Sequence, residues 1–449
     1  MDVEEQVFRF VKDFKLENVP AEVKKKVTLC ALDSLAALIS GRHQKVAKVT
    51  AKYAENNWPE GHSTIISSGE TSSCKGAAFA NAYAANALDI DDCGLYTKGH
   101  PGAQLLSLTL AIAENKDLNG KEFLSDLIVG YEIAHRVGRC WHNYYDVYRA
   151  GGSWGSIVCC ALASKRFNLN KEEFLSALGI AEYHAPYIPV MKAVSSPKMV
   201  KHGIGLGPLN GIMSAELAKL GFTGTPTMLF RDEYKKWFTD LGTNYIVEKG
   251  INWKEYCSCA WTHPALDAVT KIMTNHEFFP EDVKKIEVET FNEASKLGTD
   301  IPETAEEAQF NLAWPIASLI IHEKVGPDQV SGEGLLNEDT INLANKINLK
   351  ESDKLTRAYH MATKGEEEGM FGSSVEIRMN NGEVYDSGVV EGNLKYPQPG
   401  WSKKRVKNKF IELTSNVVGT RNAKKMTELI FSLSNIESVE EITSRASRR

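Results

Sequence analysis

The sequence predicts a mainly α protein with a smaller inserted α+β domain. Helical periodicity dominates the first two hundred and thirty residues and returns over the last fifty, whereas alternating strand patterns appear after about residue 265. A Pro-rich linker occupies Lys395–Gly400. We therefore expect a large all-helical domain formed from both chain ends, 1–265 and 396–449, and an α+β lid domain over 266–395.

The predicted helices follow from apolar spacing and end signals. From Ala21, apolar residues recur with a period of 3.6, Pro20 sets the first turn, and Gly41 is a candidate C-cap. Asn170 is a candidate cap for a later helix. Runs rich in small residues predict four buried helices, at 72–88, 105–115, 155–166 and 210–220.

The α+β part is predicted from period-two patterns. Residues 284–291 alternate apolar and polar, and 373–385 form a hairpin around Asn380-Asn381-Gly382, a pair type that suits the positive φ of a tight turn. The remaining predicted helices cover 306–323, 337–348, 403–413 and 423–433.

Composition excludes several classes of protein. The chain has 449 residues, a formal charge of −6 and 24% charged residues, so neither a disordered chain nor a nucleic-acid-binding surface is expected. No apolar run is long enough to span a membrane, and the acidic start lacks a signal peptide. With eight cysteines as free thiols, a cytoplasmic protein is expected.

Generic cofactor signatures are weak. The glycine run 203–211 misses the dinucleotide spacing and follows no predicted strand, which favours helix packing or anion contact. Cys257-Ser-Cys259 lacks the partners of a zinc site. We therefore expect neither a metal nor a cofactor.

The densest polar cluster covers 89–101, between two small-residue helices. It holds three aspartates, Lys98 and His100, which are costly to desolvate unless they are paired. One interpretation is a solvated turn in which Asp92 and Thr97 cap helices. The other is an acid/base site, with His100 transferring protons and an aspartate orienting it.

Three further clusters are candidates. In 141–155, Arg149 precedes a glycine-rich helix start and could clamp a carboxylate, or the segment could be an interface loop. Lys201 and its neighbours precede the glycine run, where exposed basic residues are the alternative. Lys254 opens a segment at the predicted domain boundary, where clefts form, and His263-Pro264 there could simply start a helix.

Taken in order, these segments resemble the MmgE/PrpD family, which includes 2-methylcitrate dehydratase, cis-aconitate decarboxylase and iminodisuccinate epimerase. The resemblance runs nearly end to end, and its anchors are 32–41, 87–92 with His100-Pro101, 130–133, 211–224, 254–268 and 309–312. It implies a helical domain from both chain ends, an α+β lid and a homodimer. It also implies a cleft site with Asp89, His100, Lys254 and, more loosely, Lys201 as catalytic residues.

Several positions depart from the family pattern. Cys93 stands where threonine is common, Arg149 begins a segment that is usually His-Pro-Thr, and Cys259 aligns with a histidine of the decarboxylase. A tyrosine of the family aligns with Trp314. We therefore expect the substrate-binding positions to be Arg149, Cys93, Cys259, His263, Trp314 and Tyr148.

The sequence thus predicts a cofactor-independent lyase that abstracts a proton α to a carboxylate of a small di- or tricarboxylate. Because the departures remove decarboxylase residues, dehydration of a citrate-like or 2-methylcitrate-like hydroxy acid is favoured. In this hypothesis Lys201, Arg149 and Lys254 bind carboxylates. The alternatives are an epimerase, a decarboxylase, or a non-catalytic protein that binds carboxylates with His142, Tyr148 and Arg149.

Overall fold

The computed structural model describes residues 2–364, 366, 368–392, 398 and 400–448. Within these residues helices predominate and strands are few, so the prediction of a mainly α protein is confirmed. The predicted linker 395–400 lies outside the described residues except for Gln398 and Gly400. The domain boundaries therefore stay a prediction. None of the described helices is long and apolar enough to cross a membrane.

The first part of the chain is a series of helices. They are α1 (Val3–Asp13), α2 (Ala21–Gly41), α3 (Lys45–Asn57), α4 (Cys74–Ala85), α5 (Pro101–Lys116), α6 (Gly120–Tyr144), α7 (Gly151–Arg166), α8 (Lys171–Tyr183), α9 (Val190–Ser195), α10 (Leu206–Lys219) and α11 (Val247–Gly250). Two antiparallel pairs of short strands accompany them, β1 (Ser63–Thr64) with β2 (Thr71–Ser72) and β3 (Cys93–Gly94) with β4 (Ile251–Asn252).

Small residues let these helices approach closely. A Cβ on Gly211 of α10 would lie 2.6 Å from the backbone nitrogen of Cys160 in α7, so the end of the glycine run serves helix packing, as predicted. Asn170 caps α8 in a reciprocal pair with Glu173, as its position predicts. Gly41 is not a C-cap: it is the last residue of α2 and packs against the backbone of Ala84.

The second part of the chain contains a four-stranded mixed sheet. Its strand order is β6-β5-β7-β8, with β5 and β6 parallel and the other pairs antiparallel, and helix α12 packs against β7 and β8. The elements are α12 (His263–Asn275), β5 (Val283–Thr290), α13 (Asn292–Ser295), α14 (Ala305–Gln309), α15 (Ala313–His322), α16 (Glu338–Ala344), β6 (Ile347–Glu351), α17 (Asp353–Lys364), β7 (Gly372–Met379) and β8 (Val384–Glu391).

Strand β5 and the hairpin are where the sequence predicts them, but two predicted helices differ. The helix expected over 306–323 is broken, because the side chain of Asn311 accepts a hydrogen bond from the backbone of Trp314 at 2.7 Å and starts a new helix there. The helix expected over 337–348 ends at Ala344, since Ile347 begins strand β6 beside β5. Helix α17 was not predicted.

The C-terminal helices return to the first part of the chain. They are α18 (Lys403–Val418), α19 (Thr420–Phe431) and α20 (Glu440–Ala446). Helix α18 packs along α2, and Phe410 belongs to the same apolar core as Leu35. The ammonium of Lys409 donates to Asp33 Oδ1 at 2.6 Å and to the carbonyl of Ile90 at 2.8 Å. A second apolar core lies around the sheet, with Val288 and Ile377 at its centre.

Candidate active site

A pocket with about 790 Å³ of open space is lined by residues of both the helical part and the second part of the chain. Its floor, as we call it, comes from the helical part and consists of Asp89, Cys93, Gly94, Leu95, Lys98, Gly99, His100, Tyr148, Val190, Val194 and His202. Its roof comes from the second part and consists of Cys259, Ala260, Trp261, Phe310, Tyr359, Ala362, Thr363 and Phe371.

His100 stands on the floor between two carboxylates. Its Nδ1 lies 3.1 Å from Asp91 Oδ2, and its Nε2 lies 3.4 Å from Asp89 Oδ1. The imidazole is 5% exposed and both aspartates are buried. Carboxylates on both sides of an imidazole fix its orientation. The structure therefore brings together the histidine and the aspartate that the sequence singles out.

Lys254 is the counter-charge of Asp89. Its ammonium lies 3.1 Å from Asp89 Oδ2 and donates to the carbonyls of Asp89 and Ser258 at 2.7 and 3.2 Å. Burial alone would raise the pKa of Asp89, but the charges of Lys254 and His100 outweigh it and hold that pKa well below its usual range. Asp89 is thus an ionised carboxylate facing the pocket.

Lys201 is buried and is not among the residues that line the pocket. Its ammonium donates to the carbonyls of Asn86 and Ala87 at 2.8 and 3.1 Å and to Gln309 Oε1 at 2.5 Å. Burial lowers the pKa of Lys201, partly opposed by the charge of Asp89. All three donors of each site lysine, Lys201 and Lys254, therefore face protein acceptors, and neither lysine is placed to grip a substrate carboxylate directly.

A second imidazole lies against the first. The rings of His202 and His100 are stacked with centroids 4.6 Å apart, and His202 Nε2 lies 3.7 Å from Asp89 Oδ1. Burial lowers the pKa of His202 to about 4, although Asp89 opposes this shift. His202 is therefore a neutral imidazole at pH 7 that borders the reacting region.

The turn that carries these groups is not solvated. Asp89, Asp91 and Asp92 are each at most 1% exposed. Asp92 Oδ1 accepts from the backbone amide of Gly102 in the first turn of α5 at 2.8 Å, and its Oδ2 accepts from the hydroxyl of Tyr131 at 2.7 Å. Burial raises the pKa of Asp92 to about 7. The solvated-turn interpretation is therefore wrong. The N-cap residue of α5 is His100 and not Asp92, and the hydroxyl of Thr97 donates to the carbonyls of Gly94 and Gly99.

Two cysteines and a tyrosine that the sequence singles out, Cys93, Cys259 and Tyr148, line the pocket. Burial raises the pKa of Cys259 to about 12 and raises that of Cys93 further, so both thiols are neutral. Tyr148 directs its hydroxyl to the carbonyl of Lys98 at 2.5 Å. The side chain of Lys98 is exposed at the edge of the floor, and partial desolvation lowers its pKa.

Three predicted binding residues lie elsewhere. The guanidinium of Arg149 stacks on the rings of Tyr145 and Tyr187, 4.4 and 4.7 Å from their centroids, so a clamp on a pocket ligand is not supported. Trp314 is wholly buried and donates from Nε1 to the carbonyl of Gln329 at 2.9 Å. His263 starts helix α12 beneath the roof, where burial lowers its pKa to about 3.

Asp89, His100 and His202 are close enough to one another to hold a metal ion. However, Asp89 already faces the ammonium of Lys254 at 3.1 Å. A cation there would meet a positive charge directly behind its carboxylate ligand. The donor set is therefore better suited to moving protons than to binding a metal.

Sequence reasoning missed three residues that complete the site. Asp91 lay within the recognised cluster but had no separate role, and His202 was grouped with exposed basic residues. Gln309 holds Lys201 in place, and its amide donates to the carbonyl of Ala87 at 3.1 Å. The position of Asp91 in the same charged segment as His100 is a signal that could have indicated its contact with the imidazole. No local signal in the sequence indicates that Gln309 contacts Lys201.

The fold and the floor together define a mainly helical protein with a pocket in which an imidazole lies between two buried carboxylates. The MmgE/PrpD N-terminal domain matches residues 5–241, and the MmgE/PrpD C-terminal domain matches residues 256–435. The chain belongs to the MmgE/PrpD family. It is also 23% identical to a protein of Aspergillus oryzae named cis-aconitate decarboxylase-like protein oryM, over 98% of this chain and 96% of that protein.

Proposed function

We propose that the protein is a lyase that needs no cofactor and removes water from a small hydroxylated di- or tricarboxylate of the citrate or 2-methylcitrate type. The observation that carries the proposal is His100, held between two buried carboxylates at the surface of a pocket. The relative named as decarboxylase-like supports a carboxylic-acid substrate.

In the proposed reaction His100 takes the proton from the carbon next to a substrate carboxylate. The electron pair of that C–H bond first moves into the carboxylate as an enediolate, then forms the carbon–carbon double bond as the β-hydroxyl leaves. The imidazolium returns its proton to that hydroxyl, which departs as water. Asp89 and Asp91 stabilise the imidazolium between these steps.

In this proposal the two buried lysines are positioning residues. Lys254 keeps Asp89 ionised, and Lys201 ties the turn after α4 to Gln309 of the second part. The prediction that they bind substrate carboxylates directly is replaced by this indirect role, because their donors are already used. A homodimer and a cytoplasmic location stay predictions.

The proposal is tested by incubating the purified protein with citrate, 2-methylcitrate or cis-aconitate in deuterated water. Dehydration should produce ultraviolet absorbance from a conjugated double bond. It should neither release CO₂ nor form an epimer of the substrate. Loss of CO₂ from cis-aconitate would favour a decarboxylase, and deuterium exchange with inversion but without elimination would favour an epimerase. No turnover and no exchange with any of the three acids would contradict the proposal.

A further inference from the structure

We infer that Lys98 binds a carboxylate of the substrate and gives the pocket its preference for polycarboxylates. This inference rests on the proposed function. A polyanion that enters the pocket meets the ionised carboxylate of Asp89, which repels it. Binding of the polyanion therefore needs a cation that can contact it.

The expected cations are not available to a ligand. Each ammonium of Lys254 and Lys201 is surrounded by three protein acceptors, and both side chains are at most 2% exposed. The guanidinium of Arg149 lies among aromatic rings outside the pocket lining.

Lys98 differs from these cations in its exposure and in its lack of protein partners among the described residues. Its side chain lines the pocket and is exposed, and among the described residues its ammonium makes neither a hydrogen bond nor an ion pair. An unpaired ammonium on a pocket wall is the group that a carboxylate would engage in a charge-assisted hydrogen bond.

The turn that carries Lys98 is held in place from several directions. Lys98 has a left-handed backbone with φ of 45°, and its amide donates to the carbonyl of Gly94 at 3.0 Å. The hydroxyl of Tyr148 donates to the carbonyl of Lys98 at 2.5 Å, and His142 Nε2 lies 2.9 Å from the carbonyl of Thr97. A lysine in this costly conformation is therefore kept beside the pocket by its neighbours.

The location of Lys98 complements that of His100. Both lie on the floor, two residues apart in the chain, whereas the roof carries no charged side chain among its described lining residues. A substrate with two or more carboxylates could place one of them at Lys98 while the carbon next to another faces His100. Specificity for polycarboxylates would then come from the edge of the floor.

The test measures citrate binding by isothermal titration calorimetry at pH 7 and several salt concentrations. Lys98→Met should weaken citrate binding by roughly 10- to 100-fold and flatten its salt dependence, the loss expected for one charged hydrogen bond. Lys98→Arg should retain most of the affinity. Lys192→Met is the matched control, because Lys192 is an exposed lysine on α9 outside the pocket lining.

The outcomes separate this inference from the proposed function. If the wild type binds citrate and Lys98→Met binds it equally well, the role of Lys98 is overturned while the lyase proposal stands. If the wild type binds neither citrate, 2-methylcitrate nor cis-aconitate, both fail together. Weaker binding in Lys192→Met as well as in Lys98→Met would reduce the effect to general surface charge and also overturn the inference.

Discussion

The floor and the roof of the pocket differ in chemistry although they face the same space. The floor carries Asp89, Lys98, His100 and His202, whereas the roof presents aromatic rings, small side chains and one neutral thiol. In the roof, Tyr359 stacks on Phe291 with centroids 4.2 Å apart and meets Trp261 edge-on at 6.3 Å. Proton transfer should therefore depend on the floor, and substrate fit and exclusion of water on the roof.

The largest expected effect is on turnover. His100→Gln should lower kcat by roughly 10²–10⁴-fold, because it removes the group that moves the proton while keeping a polar side chain of similar size. Turnover is followed by ultraviolet absorbance on the substrate that the screen identifies, and citrate affinity serves as the check on folding. Wild-type kcat in this variant would contradict the assignment of proton transfer to the floor.

The next effect is on stability. Lys254→Met should lower the free energy of unfolding by about 3–5 kcal/mol, because it leaves the carboxylate of Asp89 buried without its counter-charge. The matched control is Lys254→Met combined with Asp89→Asn, which should recover much of this loss. Urea denaturation measures both. A single variant as stable as the wild type, or a double variant no better than the single one, would show that the pair is not coupled.

A smaller effect concerns pH. The pKa of Asp92 is raised to about 7, so the stability that its proton provides is present at low pH and is lost as pH rises toward 7. Relative to Asp92→Asn, the wild type should lose on the order of 2 kcal/mol of stability between pH 5 and 8. Thermal unfolding at each pH measures the difference.

The roof offers the control for this pH effect. Tyr359→Phe should give a difference from the wild type that does not change with pH, because the pKa of Tyr359 is raised well above the range tested. A stability difference between the wild type and Asp92→Asn that does not change with pH would contradict the raised pKa of Asp92. A difference that changes with pH in Tyr359→Phe would show that the effect does not come from Asp92.

The smallest expected effect is on substrate fit. Trp261→Leu should raise KM by roughly ten-fold while kcat changes little, because it removes part of an apolar wall and no proton-transferring group. Phe279→Leu, at an exposed position outside the pocket lining, is the control and should behave like the wild type. A loss confined to kcat in Trp261→Leu would mean that the roof takes part in the chemistry.

Most of the helical framework could be predicted because small apolar residues with a 3.6-residue period have few other ways to be buried. Helix α17 could not, since within it only Leu355 and Tyr359 are buried and the pattern is too sparse to stand out. That helix nevertheless supplies Tyr359 to the roof. Strand β6 was missed because its short segment becomes a strand only through pairing with β5.

The candidate site divides in the same way. The density of charge around Asp89 and His100 marked the segment but left two interpretations open, a solvated turn and a paired acid/base cluster, because charges there would be too costly to bury unless they were paired. The direction of a long side chain is set by the tertiary structure. For this reason the sequence alone predicted that Lys201, Lys254 and Arg149 all bind substrate carboxylates. The structure turns the two lysines toward internal carbonyls and stacks Arg149 among tyrosines.

The ion pair of Lys409 with Asp33 joins two segments that are synthesised at different times. Asp33 and the carbonyl of Ile90 are synthesised more than three hundred residues before Lys409, whose ammonium they accept. At about 5–20 residues per second, ribosomal elongation takes roughly 15–75 seconds to cover that distance. Meanwhile the apolar face of α2 that receives Phe410 lacks its partner. This face of α2 can therefore be covered only after α18 has been synthesised.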